Sequence, residues 1–130
     1  MSTRCNLYHC LQNNYELQYY LCKNVTHKTL ICKYRISAHD LQIEKGRYSN
    51  IQRSNRLCKF CNCDEIEDEF HALLVCPSYK YIREKYIEKF YWLKPSMYKL
   101  ELLLKSTNIK TLNNLGRYLY LMLQKKNKLL

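Results

Sequence analysis

The sequence predicts a small, mainly α-helical domain. Only two glycines and two prolines interrupt its 130 residues, so few positions are marked as helix breakers. Apolar residues recur at spacings of three and four in several separate stretches, the period of a helix with one buried face. Between those stretches, Cys58-Lys59-Phe60-Cys61 is followed by His71 and Cys76. Two thiols two residues apart, with a histidine and another thiol further on, have the spacing of a zinc site. A tight turn puts the first pair on one ion, and a short helix carrying His71 brings Cys76 round to complete a tetrahedron. Three thiolates and one imidazole leave no position open for water, so the site reads as structural and not hydrolytic. The expected fold is a single domain over residues 1–130, with helices on both sides of one Cys3His knuckle that takes Zn2+ as its cofactor.

Composition narrows the class. A hydrophobic content of 47% suffices for the modest core of one domain. Thirteen tyrosines against three phenylalanines allow many rings to sit at a boundary with one wet edge. The net charge is +11, and residues 58–76 hold one lysine and five acids, so that segment carries −4 and the rest +15. Such a field favours polyanionic partners, RNA or DNA first and acidic membrane surfaces second. Eight cysteines would suit a disulfide framework, but Met1 to Leu7 lacks the continuous apolar stretch of a secretory signal. Reduced thiols and an intracellular location, nuclear or cytoplasmic, are expected. The glycosylation sequon Asn24-Val25-Thr26 then carries no weight, and no run approaches the length of a membrane span.

In chain order, residues 1–39 are expected to form N-terminal helices. Leu7, Leu11, Tyr15, Tyr19 and Cys22 lie at helical spacing. Cys5, His9, Cys10 and Cys22 do not add a second metal site, because no Cys-x-x-Cys turn is present and Cys10 and Cys22 fall among apolar positions. A second helix is expected from Thr26 to about Ala38, with Leu30, Ile31, Tyr34 and Ala38 on one face. Residues 40–57 read as a basic loop in which Arg47, Arg53 and Arg56 surround Tyr48, a mixture suited to phosphates and unstacked bases.

Residues 58–76 form the knuckle. Asp64 followed three residues later by Glu67 resembles a helix N-cap pattern, and an acidic first turn meets the positive end of the helix dipole. Cys63, two residues after Cys61, is an alternative ligand. Residues 77–130 return to helix. Pro77 suits a first helical position, and Tyr79, Ile82, Tyr86, Phe90 and Leu93 form one amphipathic stripe that Pro95-Ser96 ends. Met97, Leu100 and Leu104 continue as a short helix broken at Thr107-Asn108. A last helix from about Thr111 turns Leu112, Leu115, Leu119 and Met122 inward. Gly116 inside it costs about 1 kcal/mol relative to alanine, which points to close packing there. Lys125, Lys126 and Lys128 complement the dipole at its end and extend the basic field.

Several segments together resemble a known family. These are Arg35-Ile36-Ser37-Ala38-His39, Ile43-Glu44-x-Gly46-Arg47-Tyr48, Arg56-Leu57-Cys58-x-x-Cys61, Glu67-Asp68-Glu69-x-His71 and Leu73-Leu74-x-Cys76-Pro77-x-Tyr79. They resemble the zinc-binding segment that follows the polymerase domain in reverse transcriptases of non-LTR retrotransposons, over roughly residues 26–85. The resemblance implies a zinc-binding, nucleic-acid-associated accessory region with Cys58, Cys61, His71 and Cys76 at the ligand positions. It carries no polymerase activity here, because the chain has no Asp-Asp pair of the palm type and is too short for a palm. On this reading the chain looks like the tail of such an element.

The expected function is therefore a nucleic-acid-binding accessory module that is not an enzyme, with Arg47, Tyr48, Arg53 and Arg56 as its contacts. The alternative is a zinc-stapled protein-interaction domain that docks a partner through its C-terminal helices. A nuclease using Asp64 and Glu67 is the least favoured reading.

Overall fold

The computed structural model describes residues 25–36, 39 and 41–129. The expected helix over 5–22 and the thiols Cys5, Cys10 and Cys22 lie outside them. Among the described residues six α-helices follow in chain order: α1 (Val25–Arg35), α2 (Gln42–Tyr48), α3 (Lys80–Tyr86), α4 (Lys89–Trp92), α5 (Met97–Leu104) and α6 (Ile109–Leu129). Between α2 and α3 come a short 3-10 turn at Arg53–Asn55, a π-turn at His71–Val75 and a 3-10 turn at Pro77–Tyr79. Among the described residues the sole β pairing is an isolated antiparallel bridge of Leu57 with Ile66.

Helix α6 is the axis of the fold. Its Leu112, Leu115, Tyr118, Leu119 and Met122 are buried at successive spacings of three, three, one and three, which is one stripe of a helix. Helices α1 and α3 pack against it. The stripe meets Ile31 and Tyr34 of α1, Leu100 and Leu103 of α5, and Leu41, Leu73 and Tyr79 from the central segment in one core. A Cβ on Gly116 would come within 2.5 Å of the His27 Cβ. The glycine is there because α1 crosses α6 at that point.

Three expectations need correction. The basic loop is partly helical: α2 spans Gln42–Tyr48 and buries Glu44 and Gly46. Its first turn is held by a single acid, since Gln42 N–H donates to the Glu67 carboxylate at 2.8 Å and Ile43 N–H to the Glu67 carbonyl at 3.0 Å. These are donors that a helix start leaves without partners.

The stripe from Tyr79 to Leu93 is not one helix. The chain turns extended at Ile87 and Glu88, between α3 and α4. This places Ile87 in the core, 4% exposed, and the Trp92 indole N–H takes the freed Ile87 carbonyl at 2.8 Å. Phe90 and Leu93 are consequently exposed, at 54% and 57%.

Asp64 does not cap a helix. It sits at φ 54 in the turn of the knuckle, a left-handed conformation that aspartate tolerates better than most residues. Asp68 is the cap instead, its Oδ1 accepting from the His71 N–H at 2.8 Å.

Candidate metal centre

The Leu57–Ile66 bridge closes the base of a loop that carries the first two cysteines of the cluster, Cys58 beside the bridge and Cys61 further along. Cys58 N–H donates to the Glu65 carbonyl at 2.9 Å, and Glu67 N–H to the Arg56 carbonyl at 2.9 Å. The returning strand runs into the Asp68 cap and then the π-turn, where the Cys76 N–H bonds to the His71 carbonyl at 2.7 Å, five residues back. The wider turn carries Cys76 back over His71. A π-turn exposes carbonyls that an α-helix would use. Here Arg83, only 4% exposed, donates from Nε to Leu73 O at 2.9 Å and from Nη2 to Cys76 O at 2.8 Å. The Tyr118 hydroxyl donates to Ala72 O at 2.6 Å. Helices α3 and α6 thus hold the turn in shape.

Cys58, Cys61, His71 and Cys76 come together so that their ligand atoms all lie within 4.8 Å of one another, a group able to hold a metal ion. Cys58 Sγ is 3.9 Å from Cys76 Sγ, and Cys61 Sγ is 3.4 Å from His71 Nε2. The other ring nitrogen, His71 Nδ1, is 2.9 Å from Glu65 Oε2. A proton on Nδ1 leaves Nε2 as the free donor facing the thiols, the usual second hydrogen bond of a metal-binding histidine. Cys63 is exposed and outside the group. The described cysteines, Cys32, Cys58, Cys61, Cys63 and Cys76, are all free thiols.

Electrostatics follow from the crowding. The hydrogen bond with Cys76, and then burial, push the Cys58 thiol up to about 12. The same hydrogen bond from Cys58 holds Cys76 below the usual thiol range. For His71, burial opposes the charged form, yet the hydrogen bonds and charge interactions with Cys58 and Glu65 outweigh it and raise the imidazole. A cation taken up here would replace those protons.

Glu67 lies beneath the cluster, fully buried. Its Oε2 is 3.6 Å from Cys58 Sγ, and its Oε1 takes the Gln42 N–H and lies 3.5 Å from Lys126 Nζ. Lys126 is itself 4% exposed and stands over the Phe60 ring, 5.3 Å from its centroid. The sequence places Lys126 in the solvated basic field, whereas the fold makes it a core cation. Beside the knuckle, His39 accepts the Leu41 N–H on Nδ1 at 3.3 Å, so its Nε2 carries the proton given to Glu69 at 2.7 Å.

Sequence reasoning missed Glu65, Glu67, Asp68, Arg83 and Lys126. The acidic run is visible in the sequence, but its members separate into a histidine partner, a buried hub and a cap only when the chain folds back. Of the basic residues expected to contact nucleic acid, Arg47 and Arg53 are exposed and Tyr48 is 73% exposed. Arg47 also lies 3.6 Å from Glu44 on the same helix. Arg56 is committed inward, donating to Ile51 O and Ile43 O at 3.0 Å each and filling the space a Cβ on Gly46 would need. No helix among the described residues is long and apolar enough to cross a membrane. Compared with protein-family models, curated proteins and solved structures, the chain matches none.

Proposed function

We propose that this chain is a zinc-stapled accessory module that binds nucleic acid and does no chemistry of its own. The observation that carries the zinc reading is the convergence of three thiols and one imidazole at distances of 3.9 Å and 3.4 Å. A tetrahedral ion with bonds of about 2.3 Å to sulfur and about 2.0 Å to nitrogen has edges of roughly 3.8 Å and 3.5 Å. Cys58, Cys61, His71 and Cys76 would fill all four positions, so the ion would fix the loop and the π-turn against each other and activate no water. The nucleic-acid reading is supported by the +15 carried outside residues 58–76, by exposed Arg47, Tyr48 and Arg53 just before the knuckle, and by the resemblance to the zinc segment of non-LTR reverse transcriptases.

Metal analysis of protein purified under reducing conditions is expected to give one zinc per chain. Zinc below a tenth of an equivalent after reconstitution defeats the metal reading. Affinity for single-stranded RNA is expected to fall steeply with salt. The second reading, a protein-docking domain, is favoured by exposed Met97, Tyr98, Leu102 and Ile109. It predicts no RNA affinity at low salt and a partner whose binding hardly responds to salt.

A further inference from the structure

The break between α3 and α4 creates a surface that the sequence pattern assigns to the core. Lys89, Phe90, Leu93, Lys94 and Lys99 line an open cleft of about 420 Å³. Three lysines and no acid are among these lining residues. The acid next in sequence, Glu88, accepts from the Thr111 hydroxyl at 3.4 Å. Lys99 Nζ is placed by the fold: it donates to Lys94 O at 2.9 Å and stands 4.7 Å from the centroid of the Phe90 ring. Lys99 is itself held by the start of α5, where its N–H donates to the Ser96 hydroxyl at 3.2 Å. The cleft therefore offers an exposed ring and an exposed leucine beside an ammonium whose position is already set.

We propose that this cleft is a second nucleic-acid contact, in which a base of a single strand packs on Phe90 and Leu93 while its phosphates meet Lys89, Lys94 and Lys99. The inference rests on the nucleic-acid reading above and names a different surface from Arg47, Tyr48 and Arg53. Charge selects the occupant. A second copy of a chain carrying +11 would bring like charges together, whereas a polyanion gains from every lysine. The ring selects among polyanions, because a flat apolar face adds contact for a base and none for a carboxylate side chain. A second cation–ring pair, Lys85 at 5.4 Å from the Tyr86 centroid, stands on the preceding helix. Alternating rings and cations suit a polymer that alternates bases and phosphates.

The test is fluorescence anisotropy of the zinc-loaded full chain with a labelled ten-nucleotide RNA across a salt series. Phe90→Ala is expected to weaken binding roughly 5- to 100-fold with little change in salt slope. Lys89→Ala with Lys94→Ala is expected to lower the slope of log affinity against log salt by about 0.7 for each phosphate that is no longer neutralised. The side chains replaced are exposed, and unchanged zinc content and circular dichroism check that each variant folds. If wild type binds RNA and these variants bind it equally well, the cleft proposal is wrong while the nucleic-acid reading stands. If wild type binds no RNA, the reading itself fails and the cleft proposal with it. If the variants lose binding to vesicles rich in phosphatidylserine and keep their RNA affinity, the cleft serves a membrane surface and the proposal is overturned.

Discussion

At the scale of single residues, the cluster makes distinct demands on its thiols. Cys58→Ser and Cys76→Ser are each expected to abolish stoichiometric zinc, whereas Cys63→Ser, removing an exposed thiol outside the group, should leave it intact. Full zinc in Cys58→Ser with loss in Cys63→Ser would transfer the ligand role to Cys63. Glu65 acts through His71, to whose Nδ1 it lies at 2.9 Å. Glu65→Ala is therefore expected to keep the stoichiometry but weaken zinc roughly 10- to 100-fold, read by competition with a chelating dye. The pH dependence follows from the thiols. With Cys58 at about 12 and His71 raised above its ordinary value, Cys58 holds a proton near neutrality that a bound ion would displace, and His71 keeps its own to higher pH than a free imidazole. Zinc affinity should rise with pH, and calorimetry in buffers of different ionisation enthalpy should show proton release. Uptake with no proton release would show that the ligands are already deprotonated.

At the scale of elements, two of the contacts that join α6 to the rest make separate predictions. Gly116 is where α6 meets His27 of α1. Alanine there gains about 1 kcal/mol of helix propensity but overfills a contact between helix bodies, which costs about 1 to 3 kcal/mol. A net loss of melting temperature is expected for Gly116→Ala, and a gain would mean that the crossing is looser than the structure has it. The second contact is the buried pair Lys126–Glu67 at 3.5 Å, with side chains 5% and 0% exposed. Removing one partner of such a pair costs roughly 3 to 5 kcal/mol, because the other is left buried and uncompensated. Lys126→Met should therefore destabilise strongly, and Glu67→Gln added to it should recover much of the loss. Denaturant midpoints of the two singles and the double measure the coupling. Additive losses would show that the pair is not a unit.

At the scale of the whole molecule, the metal and the core are expected to melt together. The ligands come from a loop and a turn that α3 and α6 clamp through Arg83 and Tyr118. Structural zinc in small modules contributes on the order of 10 kcal/mol. Chelation should thus lower the stability of the helices as well as that of the knuckle, seen as loss of far-ultraviolet helical signal at lower temperature. Alkaline pH tests the core itself. Burial raises the Tyr118 hydroxyl above its ordinary value, near 10 for a free tyrosine. Its contribution is complete below about pH 10 and is lost as pH rises beyond that, because the unfolded chain ionises there and the folded one resists. The denaturant midpoint of the zinc-loaded protein should fall above pH 10, and Tyr118→Phe should make that fall shallower.

The sequence by itself determined the helical class, the inward stripe of α6 and the four residues of the cluster. Each is written in local spacing: three and four for a helix face, two for a thiol turn, and the close fit implied by Gly116. The apolar stripe from Tyr79 to Leu93 misled because spacing says which residues share a face only while the helix continues. The gain from burying Ile87 ended it, and tertiary packing turned Phe90 and Leu93 outward. Charge was read as surface for the same reason. Helical spacing does put Lys126, four residues after Met122, on the buried stripe and Lys128 off it, but its charge alone marks it as surface, and nothing local distinguishes Glu67 from its acidic neighbours. A buried charge is tolerated only where an opposite one arrives from elsewhere in the chain, and it was the return of α6 across the knuckle, 59 residues on, that made Glu67 a hub and Lys126 its counter-charge.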